Sequence, residues 1–459
     1  MFGKLTLLAS SVILLPFAAP AVLLAQELPK ITEVRSILRE AAAAVLNIDS
    51  TQQSAAAANI AGHQARAGDL EGALTTMRAV AVAPDRDLPA SSVAYALAAN
   101  GKLPMALHLL EDLTNPGLRA NGYSTIARLL AHKGDFESAR NVARLIAKDP
   151  SQNLQLTIAL AGVAAEQWEA GDRAGAAATF NDGMAAAEGE GNGSAFSALI
   201  STLMPSGYRD AALVAVERVY AMADEAPRNS DNSEILNQLA IAQATVGDVR
   251  SAIGTAGRIA PGKRDAAEEA IAVALAKQGD ESGALQAADE IQGYRLNCLN
   301  WIAETLVHAG DDYGAVAAIG RVQDMSERAV GLALVAIRQA EKHSPAASLT
   351  AELALETARS VKTADPRGVL TFVAIARGMM GDFAGAADII EDLDAQDRFS
   401  PLWSLTEYMV EAGKKEEALT LARSQDAPLP RAYALLGIGA ELLEQLETAA
   451  KQWAAISHP

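Results

Sequence analysis

The stretch Tyr123-Ser-Thr-Ile-Ala-Arg-Leu-Leu-Ala-His-Lys-Gly134-Asp135-Phe-Glu-Ser-Ala139-Arg-Asn-Val-Ala-Arg-Leu-Ile-Ala-Lys-Asp-Pro150 decides the fold, because nearly the whole chain is copied from it. It reads as two helices joined at Gly134-Asp135, with Ala127 on the inner face of the first and Ala139 just inside the second. Turn glycines recur at Gly68, Gly101, Gly134, Gly171, Gly207, Gly247, Gly279, Gly310, Gly381 and Gly413, at a spacing of roughly 31 to 40 residues where the series is unbroken, the range of helical-hairpin solenoids. A glycine here ends the first helix in the left-handed conformation without a Cβ penalty. Aspartate often follows it, at Asp69, Asp135, Asp172, Asp248, Asp280, Asp311 and Asp382, where it can cap the second helix by accepting its orphan N–H groups.

Five residues beyond each turn glycine stands an alanine: Ala73, Ala106, Ala139, Ala176, Ala212, Ala252, Ala284, Ala315, Ala386 and Ala418. Seven before it stands a mostly small residue: Ala61, Ala94, Ala127, Ala164, Ile200, Ala240, Ala272, Ala303, Ala374 and Thr406. Two helices approach closely only where the crossing side chains are short, so this pattern is a packing rule and not a catalytic one. Two further units lack the glycine. One runs from Val330 to Val361, with Ala336 in the small position and Glu341-Lys342-His343-Ser344-Pro345 at the turn. The other, from Ala432 to Ile456, is expected to be a degenerate terminal hairpin with Ala450 in its second helix.

The matches Tyr123, Ile126, Ala127, Leu130, Ala139 and Ala143 in the opening unit are echoed by Leu160, Val163, Ala164, Ala176 and Phe180, and by Leu299, Ile302, Ala303, Leu306, Ala315 and Ile319. On these residues the chain resembles the tetratricopeptide repeat, with most of the family's aromatic positions replaced by Ala, Leu or Ile. The resemblance implies an all-α, right-handed superhelical solenoid of antiparallel helix hairpins, holding a protein or peptide ligand in a concave groove formed by first helices. Projected onto this chain, that groove offers Ser124, Arg128 and His132 in one unit, Glu234 and Asn237 in another, and Asn297, Asn300, Glu304 and His308 in a third. The Lys/Asn/Arg clamp that some family members use for a C-terminal carboxylate is not reproduced.

Composition agrees with this reading. Of 459 residues 50% are hydrophobic but only 4% aromatic, so the core is built from Ala, Leu, Val and Ile, as suits closely packed helices. A formal charge of -18 and a pI near 4.8 disfavour nucleic acid as a partner. Residues 1–25 carry one early cation, Lys4, an apolar run from Leu5 through Leu24, and small residues suited to cleavage after Ala21 or Ala25. They read as a secretory signal peptide; the alternative, an uncleaved anchor, is disfavoured by Pro16 and Pro20. The expected organisation is residues 1–25 signal peptide, 26–54 N-terminal capping helix, and 55–459 repeat solenoid with bends near 188–194 and 341–346. The mature chain is expected in the periplasm with no stable membrane insertion. The single cysteine, Cys298, precludes an intramolecular disulfide and is expected to be a buried small hydrophobe.

No catalytic, cofactor or metal constellation emerges. Gly189, Gly191 and Gly193 lack the preceding strand and the lysine of a phosphate loop, and the six histidines fall in different units without paired ligand spacing. A basic residue recurs on second helices at Arg78, Arg144, Arg218, Arg258, Arg321 and Arg423. It is read either as a ladder for an extended anionic ligand or, as the net charge favours, as partners for acidic groups of adjacent units. The function expected is a non-catalytic scaffold for protein–protein interactions in the cell envelope. The alternative is a polysaccharide- or peptidoglycan-acting enzyme, or a carbohydrate-binding protein, on the same all-α frame.

Overall fold

A computed structural model describes residues 21–457 except 47, 49, 81–83, 191–192, 226–231, 294 and 362–365. Among the described residues the chain is all-α, with twenty-four α-helices, no strand, and hairpin after hairpin as its repeating unit. The turns explain why. All ten predicted glycines are left-handed, with φ between 74° and 89°. At each Gly-Asp the glycine N–H bonds back into the last helical turn and the aspartate N–H reaches the carbonyl five residues earlier, as Asp135 does to Leu130 at 2.9 Å. The same aspartate then caps the next helix. Asp69, Asp135, Asp172, Asp248, Asp280, Asp311 and Asp382 each accept a backbone N–H three residues on, a contact worth about 1 kcal/mol apiece. In the unit without glycine, His343 takes the left-handed turn itself, at φ 54°.

The crossing rule holds at every position. All the alanines five beyond the turn, and all the residues seven before it, have no exposed surface. Successive first helices pack on one another, and each second helix packs on its own first helix and on the first helix that follows. Three hairpins add a polar lock at the same level: Thr76, Thr179 and Thr255 donate to the buried side chains of Gln64, Gln167 and Gln243 at 2.7, 2.7 and 2.8 Å. The equivalent Gln339 is also fully buried, yet neither of its amide atoms has a partner. Elsewhere this position is Leu97, Leu130, Leu203, Leu275, Leu306, Arg377 or Met409.

A second periodic device was not anticipated. Arg86, Arg119, Arg328, Arg398 and Arg431 donate across the link between hairpins to the carbonyls of Val80, Leu113, Val322, Leu393 and Gln425 at 2.7 to 3.0 Å. Each lies eight residues before a residue in the small position, and for Arg431 that residue is Gly439. The closing unit therefore differs from expectation. Residues 428–457 form one continuous helix, Pro428–Ser457, with Gly439 and not Ala450 at the crossing.

The chain divides into two compact units, Ala120–Lys342 and a second made from both ends, Met1–Arg119 with His343–Pro459. In the second, the helix Ala21–Val45 packs along Pro428–Ser457 in the place of the missing second helix. A Cβ at Gly439 would lie 2.6 Å from Leu38 Cδ2, so any larger residue must displace the Leu38 side chain. Glu33 and Glu40 receive Lys415 and Arg423 of the last hairpin at 2.5 and 2.8 Å, while Arg39 reaches Asp69 of the first at 2.7 Å. The expected capping helix is thus not a shield over a free end but one half of a hairpin assembled from both ends. Its bounds differ too: the following helix begins at Ser50. Residues 1–20 of the expected signal peptide lie outside the described residues, and both cleavage positions considered fall in Ala21–Val45. Near the first expected bend, the helix Arg173–Glu190 continues through Glu188, and residues 191–192 lie outside the described residues.

Two outcomes test this packing. Gln339→Leu should stabilise the chain by about 1 to 3 kcal/mol by removing an unpaired buried amide, read as a raised unfolding midpoint. Gly439→Leu should cost about 1 to 3 kcal/mol by overpacking and raise hydrogen exchange in residues 30–45, leaving Ala120–Lys342 protected.

Candidate partner-binding face

The nine residues projected onto the groove do lie on first helices, Pro116–His132, Ser233–Thr245 and Arg295–Ala309. Tertiary packing withdraws two of them. Ser124 is buried, and Asn237 donates to the Lys263 carbonyl at 2.7 Å and accepts from the Ala267 N–H, fastening the start of the next hairpin. Asn237 is therefore a joint between units and not a peptide-reading amide. Arg128 is exposed, but its stem lies over Gly162, where a Cβ would come 2.8 Å from Arg128 Cγ. His132 faces Glu166 of the next first helix at 3.4 Å, and Glu234 accepts from Gln238 at 3.2 Å. No hydrogen bond or ion pair among the described residues links the three groups.

The third group forms a face. Asn297, Glu304 and His308 follow one stripe of Arg295–Ala309, and between them at the i+4 place stands Trp301, 53% exposed. Trp301 belongs to neither the small-residue nor the polar pattern of the repeat, and only its spacing of four from Asn297 marks it in the sequence. Glu304 is shared between Arg338 of the next hairpin, at 3.6 Å, and His308, at 3.9 Å. Asn300 turns inward, its Oδ1 buried and without a partner.

Four of the six arginines of the recurring series form ion pairs with acidic groups of a neighbouring unit. Arg144 pairs with Asp182 at 3.1 Å, Arg218 with Glu188 at 3.0 Å, and Arg321 with Asp289 at 2.5 Å. Arg423, on Glu40, closes the series at the N-terminal helix. Guanidinium groups so engaged do not form a free anion-reading ladder, and as surface pairs each contributes little stability.

Aromatic residues gather elsewhere, where the chain ends meet. Trp403 lies 5.7 Å from Tyr433 and meets His63 edge-on at 6.4 Å, and Phe399 packs on Tyr433 at 4.9 Å. Glu407 accepts from the Trp403 indole N–H at 2.6 Å, and burial pushes its carboxyl up to about 7 despite that bond. These rings face one another and Tyr433 is buried, so they offer no open platform. Among the described residues no group of three or more His, Cys, Asp or Glu is placed to hold a metal ion, and no helix is long and apolar enough to cross a membrane.

No family model matches the chain, and no curated protein does. Among solved structures, Ton1535 from Thermococcus onnurineus NA1 is similar at 16% identity and a TM-score of 0.31, over 76% of this chain and 99% of that one. A circular tandem repeat protein with novel repeat topology and enhanced subunit contact surfaces is similar at 14% identity and a TM-score of 0.18, over 94% and 91%.

Cys298 is fully buried, and desolvation pushes its thiol up to about 12. A thiol reagent at pH 8 should therefore leave the folded protein unmodified and label it only after unfolding, measured as one added mass.

Proposed function

We propose that this protein is an exported, non-catalytic helical-repeat scaffold of the tetratricopeptide-like kind, with the right-handed course expected of that family, binding a protein or peptide ligand on its first-helix face in the cell envelope. The observation that carries the reading is the stripe Asn297, Trp301, Glu304 and His308, an exposed tryptophan flanked by hydrogen-bonding side chains. An aromatic anchor with a polar rim is the composition of a binding hot spot. Supporting it, the residues that recur with the repeat are used in turns, crossings and joints between units, which leaves this non-recurring face for recognition. Export rests on the character of residues 1–25.

A photo-crosslinking amino acid at Asn297 should capture a discrete envelope protein, and Trp301→Ala should reduce that capture about tenfold, the loss of one anchor. Absence of a specific adduct, or capture indifferent to Trp301→Ala, would count against the reading. Release of sugars from peptidoglycan or polysaccharide by the purified chain would replace it with the enzyme alternative.

A further inference from the structure

We propose that the junction of the two chain ends is an acid-tightened clasp, in which the first hairpin, the last hairpin and the C-terminal helix meet around Trp403 and the half-buried carboxyl group that it holds among other carboxylates. The group is Glu407, on the first helix of the last hairpin, Phe399–Glu411. It accepts a hydrogen bond from Trp403, whose ring is in turn met by His63 of the first hairpin and Tyr433 of the C-terminal helix. Across the same seam Asn59 donates to the Tyr433 hydroxyl at 3.4 Å and Arg66 pairs with Glu447 at 2.9 Å. The charged groups closest to Glu407 on the C-terminal helix are Glu441 and Glu444, with Glu411 one turn along its own helix, all of one sign.

Among the described residues no ion pair reaches Glu407, and the cations on the packed elements other than the exposed Lys451 are engaged elsewhere. Arg367 pairs with Asp397, and Arg377 with Glu352 and Asp382. Lys414 pairs with Glu417, Lys415 and Arg423 with Glu33 and Glu40 of the N-terminal helix, and Arg431 holds the Gln425 carbonyl. Glu407 is therefore half-buried without a paired cation, and a proton on it favours the closed junction.

The direction follows from linkage. Closing raises Glu407 from an ordinary 4.5 to about 7, chiefly by burial, so its contribution is full below 4.5 and is lost as the pH climbs to about 7. Burial raises Glu441 as well. His63 acts oppositely: burial lowers it from 6.5, despite its bond to the Asn59 carbonyl, so its contribution is present above 6.5 and is lost as the pH falls. Between 6.5 and about 7 Glu407 already takes up a proton while His63 does not yet oppose it, and below 6.5 the two act in opposite directions. Closing takes up protons on balance.

Hydrogen exchange of the full chain at pH 7.5 and 5.5 tests this, comparing peptides from 52–66 and 430–447 with the helix Asn153–Glu169 in the same sample, so that intrinsic exchange cancels. The junction should gain roughly tenfold protection over the reference on acidification. Glu407→Gln should abolish that gain and His63→Gln should enlarge it. An unchanged or falling ratio in the natural chain, or a full gain retained by Glu407→Gln, overturns the clasp. Should Glu407→Gln fail to fold, judged by lost protection in the reference helix, the natural chain and His63→Gln decide.

Discussion

Everything in this molecule depends on how closely two helices of a hairpin can cross. Ala127 against Ala139, and their counterparts in the other units, remove the side-chain bulk that would hold the axes apart, and each is fully buried. The Gly134-Asp135 turn serves the same end. Glycine reverses the chain in one left-handed residue, and aspartate satisfies the N–H groups that an abrupt helix start leaves open. The cost is a thin core. Alanine buries little apolar area, so a single hairpin gains too little from burial to offset the chain entropy lost on ordering it, and stacking must make up the difference.

That shortage gives meaning to the pairing of Ala21–Val45 with Pro428–Ser457. A repeat array with a free end exposes one helix face at its terminal unit, and here each end supplies the helix the other lacks. Ile31, Val34, Ile37, Leu38 and Ala41 are buried as the corresponding residues of an internal second helix would be. The ion pairs from Lys415 and Arg423 repeat the cross-unit pairing seen at Arg144 and Arg321. The N-terminal helix thus obeys the packing grammar of a second helix, although about four hundred residues separate it from its partner.

Polar side chains divide by the same logic. Those that recur are consumed by structure: the capping aspartates, the arginines across the links, the glutamines bonded to threonines, and Asn237 between hairpins. A polar group left inside without such a partner is costly, as at Gln339. Recognition falls to residues outside the repeat pattern. Trp301 is one, and its departure from the surrounding alanine-rich composition sets it apart.

The sequence alone determined the hairpin, its turn and its crossing, because Gly134, Asp135, Ala127 and Ala139 act over a few residues and recur with a fixed count. It also placed Cys298 in the interior and Arg144, Arg218, Arg321 and Arg423 beside acidic neighbours, since a periodic chain repeats each local environment. Tertiary structure decided what no local count contains. It buried Ser124 and bound Asn237 to Lys263, although both looked available on a first-helix face. It made 428–457 one helix and gave the second-helix place to residues from the other end of the chain, because the choice between a folded-back helix and a distant one depends on which apolar face fits beside Gly439. Short-range geometry is written in spacing; the pairing of the two ends is a comparison of packed alternatives, which exists only once the chain is folded.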